Sequence, residues 1–481
     1  MDLNNYTLLC DFYELTMANG YFQTDYKDTI TYFDLFYRKN PDKGGFVICA
    51  GLESVVEYIQ NLHFFDDDIE FLRSKGIFCE EFLEYLKNFK FTGDIYAVKE
   101  GTPVFPYEPI ITVRAKAIEA QLIETYLLLA INHQSLIATK ASRIVRAAEG
   151  RPVMEFGSRR AQGTAAAILG ARSAYIAGAS GTACTIAEEQ FNVPSLGTMA
   201  HSWVQMFDTE YEAFETYCKL YPNNVVLLVD TYDVLKSGVP NAIKVIKEIL
   251  LPQGIKKAGI RIDSGDIAYL SKKAHDMFVK AGLPWVTICV SNGLDERLIS
   301  ELINQDACVD SFGVGERLIT ASSDPVFGGV YKLVAIEDSK GNIIPKIKIS
   351  ENEAKITNPH YKKIYRLFEK ETNKAIADVM CLHDEVIDEN SPYELFDPNY
   401  TWKRKVVENF YVEPLQIPIF LNGELVYNLP ELSEIRKYSA TELGKLWPEV
   451  KRFDNPHTYY VDLSQKLWDI KHDMLRKGRK G

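Results

Sequence analysis

The sequence predicts an α/β protein whose middle third is a TIM-like parallel barrel, with an open doubly wound sheet as the alternative arrangement of the same units. Three observations predict it. Short runs of small or β-branched residues recur through the middle of the 481-residue chain. Amphipathic helical stripes fill several of the gaps between those runs. Polar residues and glycines gather repeatedly at one end of them.

In chain order the runs are VMEFG at 153, AYIAG at 174, PSLGTM at 194, VVLLVD at 225, GIRID at 259, VTICVSN at 286, VDSFGVG at 309 and VYKLVAI at 330. Each reads as a strand buried on both faces. Between them, Ala242, Val245, Ile246, Ile249 and Leu250 form one helical stripe. Ile267, Leu270, Ala274, Met277 and Phe278 form another, with Gly282 placed to close the helix, and LDERLISELIN repeats the pattern. Buried strands alternating with such helices imply a parallel sheet with right-handed crossovers. About eight strands in roughly two hundred residues make the complement of a barrel.

The flanks differ in texture. Residues 1 to 130 are aromatic-rich and carry strand-like TYFDLFYR, GFVICAG, GDIYAV and PIITVRA, whereas 340 to 430 alternate short strands such as KIKIS and KKIYRLFE with turns. The expected division is an N-terminal α/β domain over 1–130 completed by 340–430, a catalytic barrel over 131–339, and a C-terminal region over 340–481. The last fifty residues read as helical and end in a solvated basic tail, RKGRKG.

Composition bounds the function. A hydrophobic share of 46% and a charged share of 25% fit a soluble globular protein. A net charge of −12 repels nucleic acid and anionic membrane, so neither is expected as a partner. An anionic substrate would therefore need a local basic pocket. The eight cysteines are scattered with no C-x-x-C pair, which favours reduced thiols over a disulfide framework or a zinc site. No signal-peptide pattern and no apolar stretch of bilayer length are present, and a cytoplasmic location is expected.

In a parallel barrel the chemistry gathers at the C-terminal ends of the strands. There the sequence places Arg159 and Arg160, then ASGTA, then His201, then Asp230. Arg261, Asp263, Ser264, Gly265 and Asp266 follow, then Asn292 and Gly293, then FGVGER with Gly313 and Gly315, and finally Gly328 and Gly329. Each alone has a structural explanation. A histidine fills core space, paired arginines make surface ion pairs, DSGD caps a helix, and glycines make tight turns. Their shared placement points instead to a site. Arginines with glycine-rich turns suit phosphate groups, and Asp263 and Asp266 suit sugar hydroxyls or Mg²⁺. Neither a nucleophile elbow nor an H-E-x-x-H metal motif occurs.

DFYELTMANGYF, EFGSRRAQG, GTMAHSW, RIDSGD and FGVGERL…DPVFGGVYKL, in this order from residue 8 to about 335, together resemble the nicotinate phosphoribosyltransferase family. The resemblance implies a type II phosphoribosyltransferase fold. This is an irregular or incomplete α/β barrel beside an α/β domain assembled from N- and C-terminal segments. It implies a reaction of nicotinate with 5-phosphoribosyl-1-pyrophosphate (PRPP) to nicotinate mononucleotide and diphosphate, coupled to ATP hydrolysis, in NAD salvage. It further implies a homodimer and Mg²⁺ bound with the diphosphate.

The resemblance also implies residue roles. His201 is the histidine that ATP phosphorylates, with Ser202 beside it in the substrate site. Tyr13 stacks on the pyridine ring from the partner subunit, and Phe156 forms the opposite wall. Arg159 holds the nicotinate carboxylate or pyrophosphate, with Arg160 beside it. Arg261 and Asp263 hold the phosphoribosyl group, with Asp266 near them, and Asn292, Gly293, Gly313 and Gly315 wall the 5′-phosphate. Ala183 stands where nicotinamide-using relatives carry an aspartate, which favours the carboxylate substrate. The competing readings are a nicotinamide or quinolinate phosphoribosyltransferase and a phosphosugar aldolase or lyase. The last would need a strand-end lysine, and the expected strand ends carry none.

Overall fold

The structure is a computed structural model that describes residues 5–478. The chain divides into two compact units. One is formed by residues 137–325, the other by 1–136 together with 326–481.

The 137–325 unit is built on a six-stranded parallel sheet. Its strands lie in the order Gly181–Thr182, Val153–Glu155, Ser311–Val314, Thr287–Ser291, Gly259–Ile262 and Val226–Leu228. A bridge from Thr182 to Ser195 extends the sheet at one edge. The strands are short and apolar because both faces are covered. Leu227, Leu228, Ile260, Ile262, Val290, Phe312 and Val314 have no exposed surface. Helices connect them. Ile267–Lys280 starts where Asp266 accepts the N–H of Tyr269 at 3.0 Å and buries Ala268, Ser271, Ala274 and Phe278. Glu296–Asn304 starts where Asp295 accepts the N–H groups of Arg297 and Leu298.

Four expected strands differ in the structure. AYIAG at 174 falls largely in the last turns of the helix Thr164–Ile176, where an alanine-rich stretch favours helix over strand. The strand in that part of the chain is Gly181–Thr182, inside the stretch read as a following loop. PSLGTM contributes only the Ser195 bridge. VYKLVAI lies in the strand Gly329–Glu337, but this pairs antiparallel with Ile30–Tyr37 in the other unit. A strand buried in the middle of an antiparallel sheet has the same continuous apolar pattern as a parallel one. KIKIS forms no strand.

The other unit holds an antiparallel seven-stranded sheet that draws on both ends of the chain. Its order is Ile343–Pro345, Gly329–Glu337, Ile30–Tyr37, Ile111–Lys116, Asp94–Val98, Gln416–Leu421 and Glu424–Leu425. A four-stranded sheet follows the order Phe410–Pro414, Lys362–Glu369, Ala375–Leu382 and Val461–Leu463. The C-terminal segment contains the helices Leu432–Lys445 and Gln465–Gly478. Residues 479–481 of the basic tail lie outside the described residues.

Buried ions tie these segments together. Lys362 Nζ meets Asp34 Oδ2 at 2.7 Å, and Thr112 donates to the other Asp34 oxygen at 2.8 Å. Arg366 forks onto both Asp378 oxygens at 2.8 and 2.6 Å and donates to the Pro103 carbonyl at 2.9 Å. Tyr459 donates to Asp378 Oδ1 at 2.8 Å. Glu108, also buried, accepts the N–H of Phe105. Burial, and then the Asp378 charge, hold the Glu108 carboxyl well above its ordinary value. A proton kept on Glu108 gives Asp378 a further donor.

This assignment has a signed consequence. Glu108 is neutral when folded and ionises when unfolded, so its contribution is present below the ordinary value of 4.5 and lost as pH rises. Glu108→Gln, which cannot ionise, is expected to melt at or above the wild-type temperature near neutral pH, with the difference vanishing in acid. Arg366→Met leaves Asp378 buried and unpaired and is expected to cost about 3–5 kcal/mol in urea unfolding. If Glu108→Gln were as damaging as Arg366→Met at neutral pH, Glu108 would be an ionised partner of the arginine.

Candidate active site

The C-terminal ends of two neighbouring parallel strands, Val226–Leu228 and Gly259–Ile262, bring Thr231 and Asp263 to His201. The imidazole belongs to the first residue of the short helix His201–Gln205, which follows the irregular segment 196–200. Its Nδ1 lies 3.1 Å from Thr231 Oγ1, and its Nε2 lies 4.0 Å from Asp263 Oδ2. The ring is 40% exposed, open enough to meet a solute. It sits between a hydroxyl and a carboxylate and is not core filler.

Two neighbouring strands present the carboxylates. Asp230 follows Val226–Leu228, and its Oδ2 accepts the Asp263 main-chain N–H at 3.0 Å and the Ser264 hydroxyl at 2.6 Å. Asp230 Oδ1 is buried with no donor facing it. Asp263 follows Gly259–Ile262, and its Oδ1 accepts the Ser291 hydroxyl from the end of the next strand. Arg261, two residues earlier, donates through Nη1 to Thr198 Oγ1 and through Nη2 to the Met199 carbonyl, both at 3.0 Å. Its Nε is buried without a partner. A buried acceptor on Asp230 and a buried donor on Arg261 are what a polar solute with both kinds of group would satisfy.

A second part of the site follows Val153–Glu155. The Glu155 carboxylate is fully buried, accepts the Gly157 N–H, and accepts the Thr182 hydroxyl at 2.6 Å from the adjoining strand. Burial pushes this carboxyl above its ordinary value, while the two hydrogen bonds pull it back. The Phe156 ring lies across Gly313, where any Cβ would come within 2.6 Å of the ring. Only glycine lets the aromatic lie there. Asn292 and Gly293 both adopt left-handed backbone, at φ 76° and 66°, which turns the chain sharply after Thr287–Ser291. Gly315 caps the four-residue helix Glu316–Ile319.

The remaining expected residues are less drawn in. Ser202 is exposed beside His201, and Asp266 is occupied as a helix cap. Arg159 and Arg160 stand exposed on the turn Ser158–Arg160, with Arg160 Nε 3.7 Å from Glu316 in a solvated pair that contributes little. Ala183 is exposed at the end of Gly181–Thr182, its N–H bonded to the Glu155 carbonyl at 2.8 Å. Tyr13 lies in the other unit on the helix Phe12–Phe22 and is 44% exposed, as are Leu9 and Phe12 to similar degrees. Among the described residues no cluster of three or more His, Cys, Asp or Glu could by itself hold a metal ion. Burial also pushes the Cys289 thiol up, so this site has no reactive thiolate there.

Sequence reasoning had placed Asp230 at a strand end but gave it no role, although LVDTYD puts an acid where GIRID puts Asp263. Thr198, Thr231, Ser291 and Glu155 carried no such signal, since their roles come from contacts across strands.

Comparison with known proteins follows the same outline. Residues 8–132 match the nicotinate phosphoribosyltransferase (NAPRTase) N-terminal domain, 152–371 the nicotinate phosphoribosyltransferase (NAPRTase) family, and 361–471 the nicotinate phosphoribosyltransferase C-terminal domain. The chain is 43% identical over 471 residues to the nicotinate phosphoribosyltransferase of Bacillus subtilis, covering 98% of this chain and 95% of that one. The Dictyostelium discoideum enzyme of the same name is 34% identical, over 97% of this chain and 88% of its own. The crystal structure of human nicotinic acid phosphoribosyltransferase superposes with a TM-score of 0.83 at 26% identity, covering 97% of this chain and all of that one. No helix among the described residues is long and apolar enough to cross a membrane. The chain belongs to the nicotinate phosphoribosyltransferase family and is an enzyme that transfers a phosphoribosyl group to nicotinate.

Proposed function

We propose that this enzyme couples phosphoribosyl transfer to ATP through His201, at the mouth of an irregular, incompletely closed barrel. The observation that carries the reading is the setting of the imidazole. Thr231 occupies Nδ1, while Nε2 faces Asp263 from beyond hydrogen-bond distance. With the proton on Nδ1, the Nε2 lone pair is the nucleophile. His201 accepts the terminal phosphoryl group of ATP, ADP leaves, and water later takes the phosphoryl group to give phosphate. The new dianionic group stands beside Asp263 and repels it, which alters the pocket in which PRPP is held.

In the transfer step the pyridine nitrogen of nicotinate attacks C1′ of PRPP, and the C1′–oxygen bond to diphosphate breaks. Arg261 presents its unfilled Nε donor to the anionic substrates, and Asp263, fixed by Ser291, receives the ribose hydroxyls. Asp266 lies beside them. Asn292, Gly293, Gly313 and Gly315 enclose the 5′-phosphate, with Arg159, Arg160 and Ser202 at the open edge. Phe156 makes one wall for the pyridine ring, and Tyr13 of a second copy makes the other. The exposed apolar side chains of Leu9, Phe12, Tyr13 and Met17 support a homodimer. Catalysis is by positioning and electrostatics around a cation-like ribosyl centre.

Mg²⁺ fits the donor set. It commonly takes one or two carboxylates, with phosphate oxygens and water completing the shell, and the Asp230 Oδ1 is a buried acceptor without a donor. Asp230 and Asp263 would hold it, and it would supply charge neutralisation for the diphosphate. The setting is cytoplasmic, in keeping with eight cysteines that are all free.

Three outcomes are expected. His201→Ala should take up no label from radioactive ATP, and ATP should no longer lower its KM for PRPP, a loss of about 5–150-fold in that coupling. An unaltered ATP response would remove His201 from the ATP coupling. Arg261→Lys keeps the charge but loses the fork and should lower kcat/KM by about 10²–10³-fold in steady-state assays, with unchanged circular dichroism. Ala183→Asp should cut kcat/KM for nicotinate by about tenfold through like-charge repulsion while leaving PRPP binding intact, and an equal loss for both would remove Ala183 from base selection.

A further inference from the structure

A short irregular stretch, residues 196–200, leads into His201 and is held by Arg261 from the strand Gly259–Ile262. Upstream of it, Leu196 donates its N–H to the Thr182 carbonyl at 2.7 Å, and Ser195 bridges to the same strand. Downstream, the helix His201–Gln205 begins, with the Trp203 N–H on the Ala200 carbonyl at 3.0 Å. Between these ends, the guanidinium of Arg261 grips the chain at two consecutive residues, the Thr198 hydroxyl and the Met199 carbonyl. The Thr198 hydroxyl is turned towards the Met199 carbonyl, at 3.5 Å. One residue, Ala200, separates Met199 from His201, and one, Ile262, separates Arg261 from Asp263, the carboxylate that faces that imidazole. The ring and the guanidinium are thus linked twice, through space by Asp263 and through the chain by Thr198 and Met199.

We propose that Thr198 is a positioning residue that transmits the phosphorylation of His201 to the guanidinium of Arg261. This rests on the phosphohistidine reading of His201. A group of about two negative charges added at Nε2 displaces the start of the His201–Gln205 helix relative to Asp263. The irregular segment carries that displacement back to Thr198, and the guanidinium turns with it. Met199 alone cannot fix the direction, because one hydrogen bond leaves a planar group free to pivot about it. The second bond, from Nη1 to the Thr198 hydroxyl, makes the grip bidentate and removes the pivot. The orientation of the open Nε, and with it the affinity for the anionic substrate, then follows the state of His201.

The test uses the full-length enzyme and its substrates. The KM for PRPP is measured with and without ATP, and label from radioactive ATP on the protein is counted, for wild type, Thr198→Val and Thr198→Ser. Valine keeps the shape and removes the hydroxyl. The expected result is wild-type labelling of Thr198→Val, with the ratio of the two KM values collapsed to within about twofold of unity, and recovery of the ratio in Thr198→Ser. Thr198→Ala, which also lacks the hydroxyl but adds no bulk, stands in if the valine variant does not fold. A wild-type ratio in the hydroxyl-free variants overturns the proposal, as does loss of their labelling, which would place Thr198 before phosphorylation. Absence of label and of any ATP effect in the wild type instead overturns the phosphohistidine reading itself, and the proposal with it.

Discussion

One carboxylate oxygen holds the active site together. Asp230 Oδ2 takes both the main-chain N–H of Asp263 and the hydroxyl of Ser264, and so fixes the loop after one strand to the end of its neighbour. The same Asp263 is held from the other side by the Ser291 hydroxyl and faces His201 at 4.0 Å. The arrangement depends on parallel strands. In a parallel sheet the C-terminal ends of adjacent strands lie side by side, so an acid at the end of one can organise the loop of the next.

The electrostatics repeat this economy on a larger scale. In a chain carrying −12 overall, single polar groups at the strand ends each serve two partners. Arg261 donates through both Nη groups to protein oxygens, while its buried Nε has no protein partner. Glu155 stabilises the turn at Gly157 and, through Thr182, the neighbouring strand. Such interactions are cheap to form because the partners are already ordered by the sheet, and a substrate meets groups that need little rearrangement.

Much of this was legible in the sequence because polar residues of several kinds share one end of the apolar runs. The apolar runs at 225, 259, 286 and 309 end in Asp230, Arg261 with Asp263, Asn292 and Gly313, and these runs lie where the structure has parallel strands. The failures have physical reasons. AYIAG is short and apolar, and only its alanine-rich upstream neighbours show it to be helix. VYKLVAI lies inside an antiparallel sheet, with Tyr331, Val334 and Ala335 buried and Val330, Leu333 and Ile336 half-buried, and its apolar run reads like that of a parallel strand. Thr198, Thr231 and Ser291 were invisible because a hydroxyl says nothing about its partner until the neighbouring strand is known.

The seven-stranded sheet also has a consequence for synthesis on the ribosome. Its strands are drawn from residues 30 to 116 and again from residues 329 to 425, so it cannot close until most of the chain has emerged. The intervening residues 137–325 are contiguous and hold all the strands of their own sheet, so that sheet can form before the seven-stranded one closes. During that interval Ile30–Tyr37 has its partner Ile111–Lys116 on one side but an open edge on the other, waiting for Gly329–Glu337. An aromatic strand edge left open for so long is a place where nascent chains pair with each other, and it makes the delay between the two halves of this sheet a determinant of yield.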